Sequence, residues 1–151
     1  MTSHTTPPPS NGKPSPVPAD SQGTPAGLRV LLADDDIINQ RLGGLLLERL
    51  GHRPVCVANG LEALQQLAAS PYDAVILDVE MPGLGGPETA VRIRSGTSGV
   101  LDPAIPLLGL SGHGQGPERD SCLEAGMNGY LAKPLRAEDL QRALAEIVPR
   151  L

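Results

Sequence analysis

The residues of this 151-residue chain that can do chemistry fall in a few short groups. Asp34, Asp35 and Asp36 are consecutive, and Asp78 is followed two positions later by Glu80. Ser111 precedes Gly112 and His113, and Lys133 precedes Pro134. If these groups converge, their charges set what they can bind. Two carboxylates about 4 Å apart repel by about 4 kcal/mol at an effective dielectric constant of about 20. A divalent cation relieves that repulsion, and an all-oxygen site with open positions suits Mg²⁺. Lys133 supplies a further positive charge and Ser111 a hydroxyl. A pocket of this kind is acidic when empty and accepts an anion once the metal is bound. A phosphoryl group is its natural guest, because it bridges metal, ammonium and hydroxyl. Each piece alone has an ordinary explanation. An acidic triplet is commonly a turn and a helix cap, which is the role expected of Asp36. A Lys-Pro pair is commonly a surface turn, and a serine after a strand is commonly an N-cap.

The joint reading depends on the elements that carry these residues. Short apolar runs alternate with longer segments of helical spacing. Strands are predicted over 28–33, 54–58, 74–77, 107–110 and 128–132. Helices are predicted over 37–50, 61–69, 88–94, 117–125 and 137–148. The first helix has apolar residues at 38, 42, 45, 46 and 50, and Gly51 follows as its stop. Asn59-Gly60 forms the turn and cap before the second, and Pro117 opens the fourth. Leu140, Leu144 and Ile147 share one face of the last. Five βα units with continuously apolar strands indicate a parallel sheet covered on both faces. Ligands of such sheets bind at the carboxyl ends of the strands, near the point where strand order reverses. The acidic groups, Ser111 and Lys133 each stand at the end of a different predicted strand. That shared placement raises the functional reading above the ordinary ones.

Composition narrows the field. The net charge is −5, which argues against a nucleic-acid-binding surface. The apolar runs are too short to span a bilayer, and the N-terminus lacks the apolar core of a secretory signal, so a cytoplasmic protein without a membrane role is expected. Residues 1–27 hold seven of the sixteen prolines and little that could be buried, so they are expected to be a disordered tail or linker before a folded unit over 28–151. Cys56 and Cys122 lack metal-type spacing and read as small core hydrophobes. Tyr72 and Tyr130 are the only aromatic residues, so the core must be aliphatic.

At this point a family resemblance is plain. The stretches LLADDDIINQ, LLLERLGH, VANGLEAL, YDAVILDVEMPGLGG, GLSGHG and GMNGYLAKPL occur in the order found in response-regulator receiver domains of two-component and phosphorelay signalling. Asp78, Met81, Pro82 and Gly86 match that family's D-x-x-M-P-x-x-x-G stretch. The Asn39-Gln40 pair and the Asn59-Gly60 segment look most like receivers attached to, or serving, hybrid histidine kinases. The resemblance implies a flavodoxin-like, doubly wound α/β fold: five parallel strands in the order 2-1-3-4-5, with five helices. It implies that Asp78 is the phosphorylated aspartate, fed by a histidine kinase or histidine phosphotransfer protein. Asp35 becomes the direct Mg²⁺ ligand, Asp34 the water-mediated one, and the Glu80 backbone carbonyl a third position. Ser111 matches the switch hydroxyl, Lys133 the phosphate-binding lysine and Tyr130 the rotating aromatic. The Lys133–Pro134 bond is expected to be cis. The surface formed by the fourth helix, fifth strand and fifth helix is where a downstream protein would read the switch. Glu80 and His113 are expected to flank an attacking water and to set the lifetime of the phosphoryl group.

The chain is therefore expected to be a phosphoacceptor that catalyses only its own phosphorylation and dephosphorylation. Two alternatives stay open. A Mg²⁺-dependent phosphatase of the haloacid dehalogenase type also forms an aspartyl phosphate and has a second acid two residues later, as Glu80 is here. That class carries its nucleophile on the first strand, whereas Asp78 ends the third. A degenerate receiver that binds partners without phosphorylation is the other alternative. Whether the chain stands alone or is a piece of a hybrid kinase is not fixed by these residues.

Overall fold

The computed structural model describes residues 27–112 and 116–149. The N-terminal tail proposed from composition, apart from Gly27, and His113 lie outside the described residues. Five strands alternate with five helices: β1 (Arg29–Ala33), α1 (Ile37–Arg49), β2 (Arg53–Val57), α2 (Gly60–Ala69), β3 (Ala74–Asp78), α3 (Gly86–Ser95), β4 (Leu107–Ser111), α4 (Pro117–Glu124), β5 (Gly129–Ala132) and α5 (Ala137–Ile147). All strand pairs are parallel and the order is β2-β1-β3-β4-β5.

The continuous apolar strands are explained by two cores, one on each sheet face. Leu31, Ala33, Val75 and Leu77 face a cluster completed by Ala63, Leu64 and Leu67 of α2, Ala90 and Ile93 of α3, and Cys122 of α4. Val30, Leu32, Ala74, Ile76, Leu108 and Leu110 face the other, completed by Leu47 of α1 and Leu140 and Leu144 of α5. Successive strand residues point to opposite faces, so both parities must be apolar.

Local signals set the helix ends. The Asp36 side chain caps α1 by accepting from the Ile38 amide at 2.9 Å. Asn59 caps α2 by accepting from the Glu62 amide, while the Glu62 carboxylate accepts from the Ala58 amide, both at 2.8 Å. This reciprocal arrangement resembles a capping box. Gly51 follows α1 with φ of 90°, a conformation that favours glycine.

The structure divides the apolar positions of α1 and corrects one further expectation. Leu46 and Leu50 pack against the second core, whereas Ile38, Leu42 and Leu45 are exposed; the buried residues of the helix are Gly43 and Leu47. The helix approaches the sheet along the line of Gly43, where a Cβ would stand 2.6 Å from Leu32 Cδ2. Cys122 is buried, but Cys56 is exposed on β2 and is not a core residue. Its Sγ lies 3.6 Å from the Gln40 carbonyl oxygen.

Candidate functional site

Strand order reverses between β1 and β3, and register places the site there. Ala33 pairs with Leu77, so Asp34 and Asp78, one residue further on, emerge side by side. Asp78 pairs with Leu110, which puts Ser111 one step beyond it. Ser111 pairs with Ala132, so Lys133 follows one step further on. The Lys133 amide donates to the Ser111 carbonyl at 2.7 Å, tying the start of the β5–α5 connection to the end of β4. The Lys133–Pro134 peptide is cis.

Asp34 and Asp78 are buried, whereas Asp35 is exposed at the rim. Carboxylate oxygens of all three lie within 4.8 Å of one another. Lys133 Nζ donates to Asp78 Oδ2 at 3.1 Å and stands 3.8 Å from Asp34 Oδ2. The Glu80 amide donates to Asp78 Oδ1 at 3.3 Å, and the Asp36 amide donates to Asp34 Oδ1 at 2.9 Å. Gln40, one turn into α1, donates its side-chain amide to the Asp34 carbonyl at 2.7 Å and to the Val57 carbonyl at 3.3 Å. It thus pins the ends of β1 and β2 beneath the acidic groups.

Burial pushes the Asp78 carboxyl up to about 6, and the Asp34 charge adds to the rise. The Lys133 ammonium and the Glu80 amide act in the opposite direction. Burial also tends to lower the Lys133 pKa, but the Asp78 carboxylate, with Asp34 and Asp35 behind it, raises it on balance. Lys133 is therefore a full positive charge facing an acid that ionises reluctantly.

The donor set fits a divalent cation. Asp34 Oδ2 is buried without a hydrogen-bond partner, and a buried carboxylate oxygen needs one. Lys133 is too far from it for a hydrogen bond. A cation among Asp34, Asp35 and Asp78 would satisfy that oxygen and offset the mutual repulsion.

The backbone behind Asp78 also constrains the sequence. Gly86 opens α3 against the Asp78 carbonyl: a Cβ there would lie 2.6 Å from Asp78 O. This explains the small residue eight positions after Asp78. Other expected participants are less closely gathered. The Glu80 side chain is exposed. Tyr130 is half-buried on β5, packed against the cluster beneath α2, α3 and α4. One participant escaped the sequence reading. The Ser111 hydroxyl, itself buried, donates to Glu118 Oε1 in the first turn of α4. The available signal was positional: Pro117 marks the first turn of that helix, so Glu118 had to sit at its N-terminal end, facing the strand ends.

Comparison with known proteins agrees with this geometry. The model of the response regulator receiver domain family matches residues 30–145. The chain is 36% identical over 120 residues to the sensor histidine kinase GacS of Pseudomonas protegens, covering 80% of this chain and 13% of that protein. It is 32% identical over 121 residues to hybrid signal transduction histidine kinase K of Dictyostelium discoideum, covering 78% and 10%. The chain thus spans a small fraction of the curated relatives it matches. Among solved structures, it is similar to the receiver domain of a sensor histidine kinase from Pseudomonas aeruginosa PAO1, which has a magnesium ion coordinated in its active-site cleft. That likeness has a TM-score of 0.72 and 35% identity, and covers 81% of this chain and 98% of that one. A response regulator from Chloroflexus aurantiacus gives a TM-score of 0.75 at 32% identity, with 82% and 98% covered. Among the described residues, no helix is long and apolar enough to cross a membrane. With the fold, the strand-end acids and these likenesses in agreement, the chain belongs to the response regulator receiver domain family.

Proposed function

We propose that this chain is a cytoplasmic phosphorelay receiver in which Asp78 accepts a phosphoryl group from a phosphohistidine of a histidine kinase or histidine phosphotransfer protein. The observation that carries this reading is the buried Asp78 carboxylate, bonded to Lys133 and within reach of Asp34 and Asp35. The magnesium ion in the Pseudomonas aeruginosa receiver supports the same cation here. Asp34, Asp35, Asp78 and the Glu80 carbonyl would hold Mg²⁺, which when bound supplies charge neutralisation for the incoming phosphoryl oxygens.

The chain's own groups do the rest. An Asp78 carboxylate oxygen attacks phosphorus in line; the new O–P bond forms as the P–N bond to the imidazole breaks, and the ring nitrogen keeps the electron pair. Lys133, already on Asp78 Oδ2, shifts its hydrogen bond to a transferred oxygen. The Ser111 hydroxyl donates to another, and Tyr130 turns toward the space that it leaves. The α4–β5–α5 face, altered by these movements, is then read by a downstream protein. This is a two-state element biased by a local charge. Glu80, beside the acceptor, and His113 tune hydrolysis of the aspartyl phosphate. The exposed apolar side chains Ile38, Leu42 and Leu45 of α1, the helix that begins beside the acidic rim, suit an apolar helix of the phosphohistidine donor.

Incubation with acetyl phosphate and Mg²⁺ followed by intact mass tests the reading. A single, metal-dependent phosphate on the wild type and none on Asp78→Asn is expected. Steady turnover of phosphate esters would point instead to a phosphatase. Equal partner binding by wild type and Asp78→Ala would point to a degenerate receiver.

A further inference from the structure

The Ser111 hydroxyl donates to Glu118 at the start of α4. Ser111 is 1% exposed at the end of β4, one register step beyond Asp78's partner Leu110. Its hydroxyl is therefore held at the level of the acidic cluster by the sheet itself. Yet the hydroxyl donates away from that cluster, to Glu118 Oε1. A hydroxyl has one proton and can donate to one acceptor at a time. An anion bound at Asp78 and the Glu118 carboxylate must therefore compete for the same O–H.

Glu118 is well placed for that competition. It lies in the first turn of α4, where the helix dipole favours its negative charge. It is half-buried rather than fully in solvent. Cys122, one helical turn further on, registers the same charge: burial, and next the Glu118 carboxylate, push its thiol up to about 11. Cys122 in turn packs over Gly109, where a Cβ would stand 2.7 Å from its Sγ. Helix α4 is thus joined to β4 by a polar contact from its first turn to Ser111 and an apolar one from its second turn over Gly109.

We propose that Glu118 is a positioning residue that competes with an Asp78-bound phosphoryl group for the Ser111 proton, and so couples occupancy of Asp78 to release of the N-terminal turn of α4. In the resting state Glu118 holds the hydroxyl toward α4. When a phosphoryl oxygen takes that proton, the Glu118 carboxylate gives up this hydrogen bond and is left closer to a second negative group. Both effects loosen the first turn of α4. The inference rests on the acceptor role of Asp78 and adds a residue that tunes it.

The test uses beryllofluoride with Mg²⁺ as a stable phosphoryl mimic, with binding measured by fluorine NMR and calorimetry. Removing the competing acceptor in Glu118→Ala is expected to tighten binding about tenfold, the scale of one hydrogen bond to a charged group. Glu118→Gln, which keeps an acceptor oxygen but not the charge, should fall between Glu118→Ala and wild type. In a Ser111→Ala background, Glu118→Ala should change affinity by less than about twofold, because no proton remains to be contested. Amide hydrogen exchange adds a readout that a merely structural role would not move. The Asp120 amide, which donates to the Gly116 carbonyl at the start of α4, should lose protection when the wild type binds the mimic and should already be unprotected in Glu118→Ala. Equal affinity of wild type and Glu118→Ala, or the same gain with and without the Ser111 hydroxyl, would overturn the proposal. Should Glu118→Ala not fold, the Glu118→Gln series carries the same comparison. A wild type that neither binds beryllofluoride nor takes phosphate from acetyl phosphate would overturn the acceptor role, and this inference with it.

Discussion

Asp78 is held in a position that favours its uncharged form, and this sets a stability cost that can be measured. Its carboxyl titrates near 6 in the folded, metal-free protein against an ordinary value of 3.8, chiefly through burial. A group whose folded pKa is raised contributes stability below its ordinary pKa and loses that contribution as pH rises through the folded value. The metal-free wild type is therefore penalised between about pH 4 and pH 6, and the full penalty applies at pH 7. With about 1.4 kcal/mol for each tenfold difference in proton affinity, the penalty is about 3 kcal/mol at pH 7 and about half of that at pH 5. Asp78→Asn removes the charge and keeps the shape. It should stabilise the metal-free protein by about those amounts, with no gain at pH 3, where the wild-type carboxyl is already neutral. Urea unfolding in the presence of a chelator, followed by circular dichroism, is the assay. At a slope of about 1.5 kcal/mol/M, the midpoint should rise by about 2 M at pH 7. Equal midpoints at pH 7, or a gain that is the same at pH 3 and pH 7, would refute the assignment of Asp78 as a buried, reluctantly ionised acid.

Four further outcomes follow from the same structure. Mg²⁺ at about one hundred times its dissociation constant should stabilise the wild type by about 2.7 kcal/mol, and thermal melts should show this gain abolished in Asp34→Asn, which removes the charge behind the unpaired oxygen. His52 is buried, and its Nδ1 accepts from the Leu28 amide at 3.2 Å; burial lowers its pKa, against a smaller opposing pull from Asp73. The contribution of His52 to stability should therefore fall as pH drops below 6.5, where the unfolded chain takes up a proton that the folded one resists, and the difference in urea midpoint between His52→Gln and wild type should move in favour of the variant over that range. Gly86→Ala should cost about 2 kcal/mol in chemical denaturation and weaken Mg²⁺ binding, because the added Cβ meets the Asp78 carbonyl. Arg94 donates to the carbonyls of Gly126, Pro103 and Ile105 and to Asn128 Oδ1; Arg94→Met should cost about 2 kcal/mol in urea unfolding, and Arg94→Lys should recover little of it, since an ammonium lacks the planar fork.

Much of this protein was legible in its residues because the signals are local. An apolar run bounded by Gly, Pro or Asp specifies a strand through neighbouring side chains, and all five strands lie within a residue or two of their expected positions. Asp36 and Asn59 act as caps because a short side chain can reach amides two or three residues away without help from the rest of the fold. The chemical groups were also legible, since each ends a strand, and a parallel sheet carries its strand ends to one edge. The family motifs add the roles, and the register then brings Asp34 and Asp78 side by side, with Ser111 and Lys133 one and two steps beyond them at the same edge of the sheet.

What the residues alone left open depends on how distant elements meet. Periodicity in α1 located an apolar surface but not the side turned to the sheet. That was decided by Gly43, whose missing side chain lets the helix settle on Leu32 and leaves Ile38, Leu42 and Leu45 outside. Cys56 and Cys122 are alike as residues, and only their positions on an exposed stretch of β2 and on the inner face of α4 separate them. Asp34 and Asp35 are adjacent and chemically identical, yet one is sealed in with an unpaired oxygen and the other stands at the rim. Glu118, which accepts from the Ser111 hydroxyl, lies seven residues away on the next helix, and the contact follows from where the sheet and α4 meet. The sequence by itself determined the elements, their caps and the inventory of reactive groups, because those rest on short-range sterics and the pattern of apolar residues. The tertiary structure decided which carboxylate is buried, which oxygen is left unpaired and where the Ser111 proton goes, because those rest on packing between segments far apart in the chain.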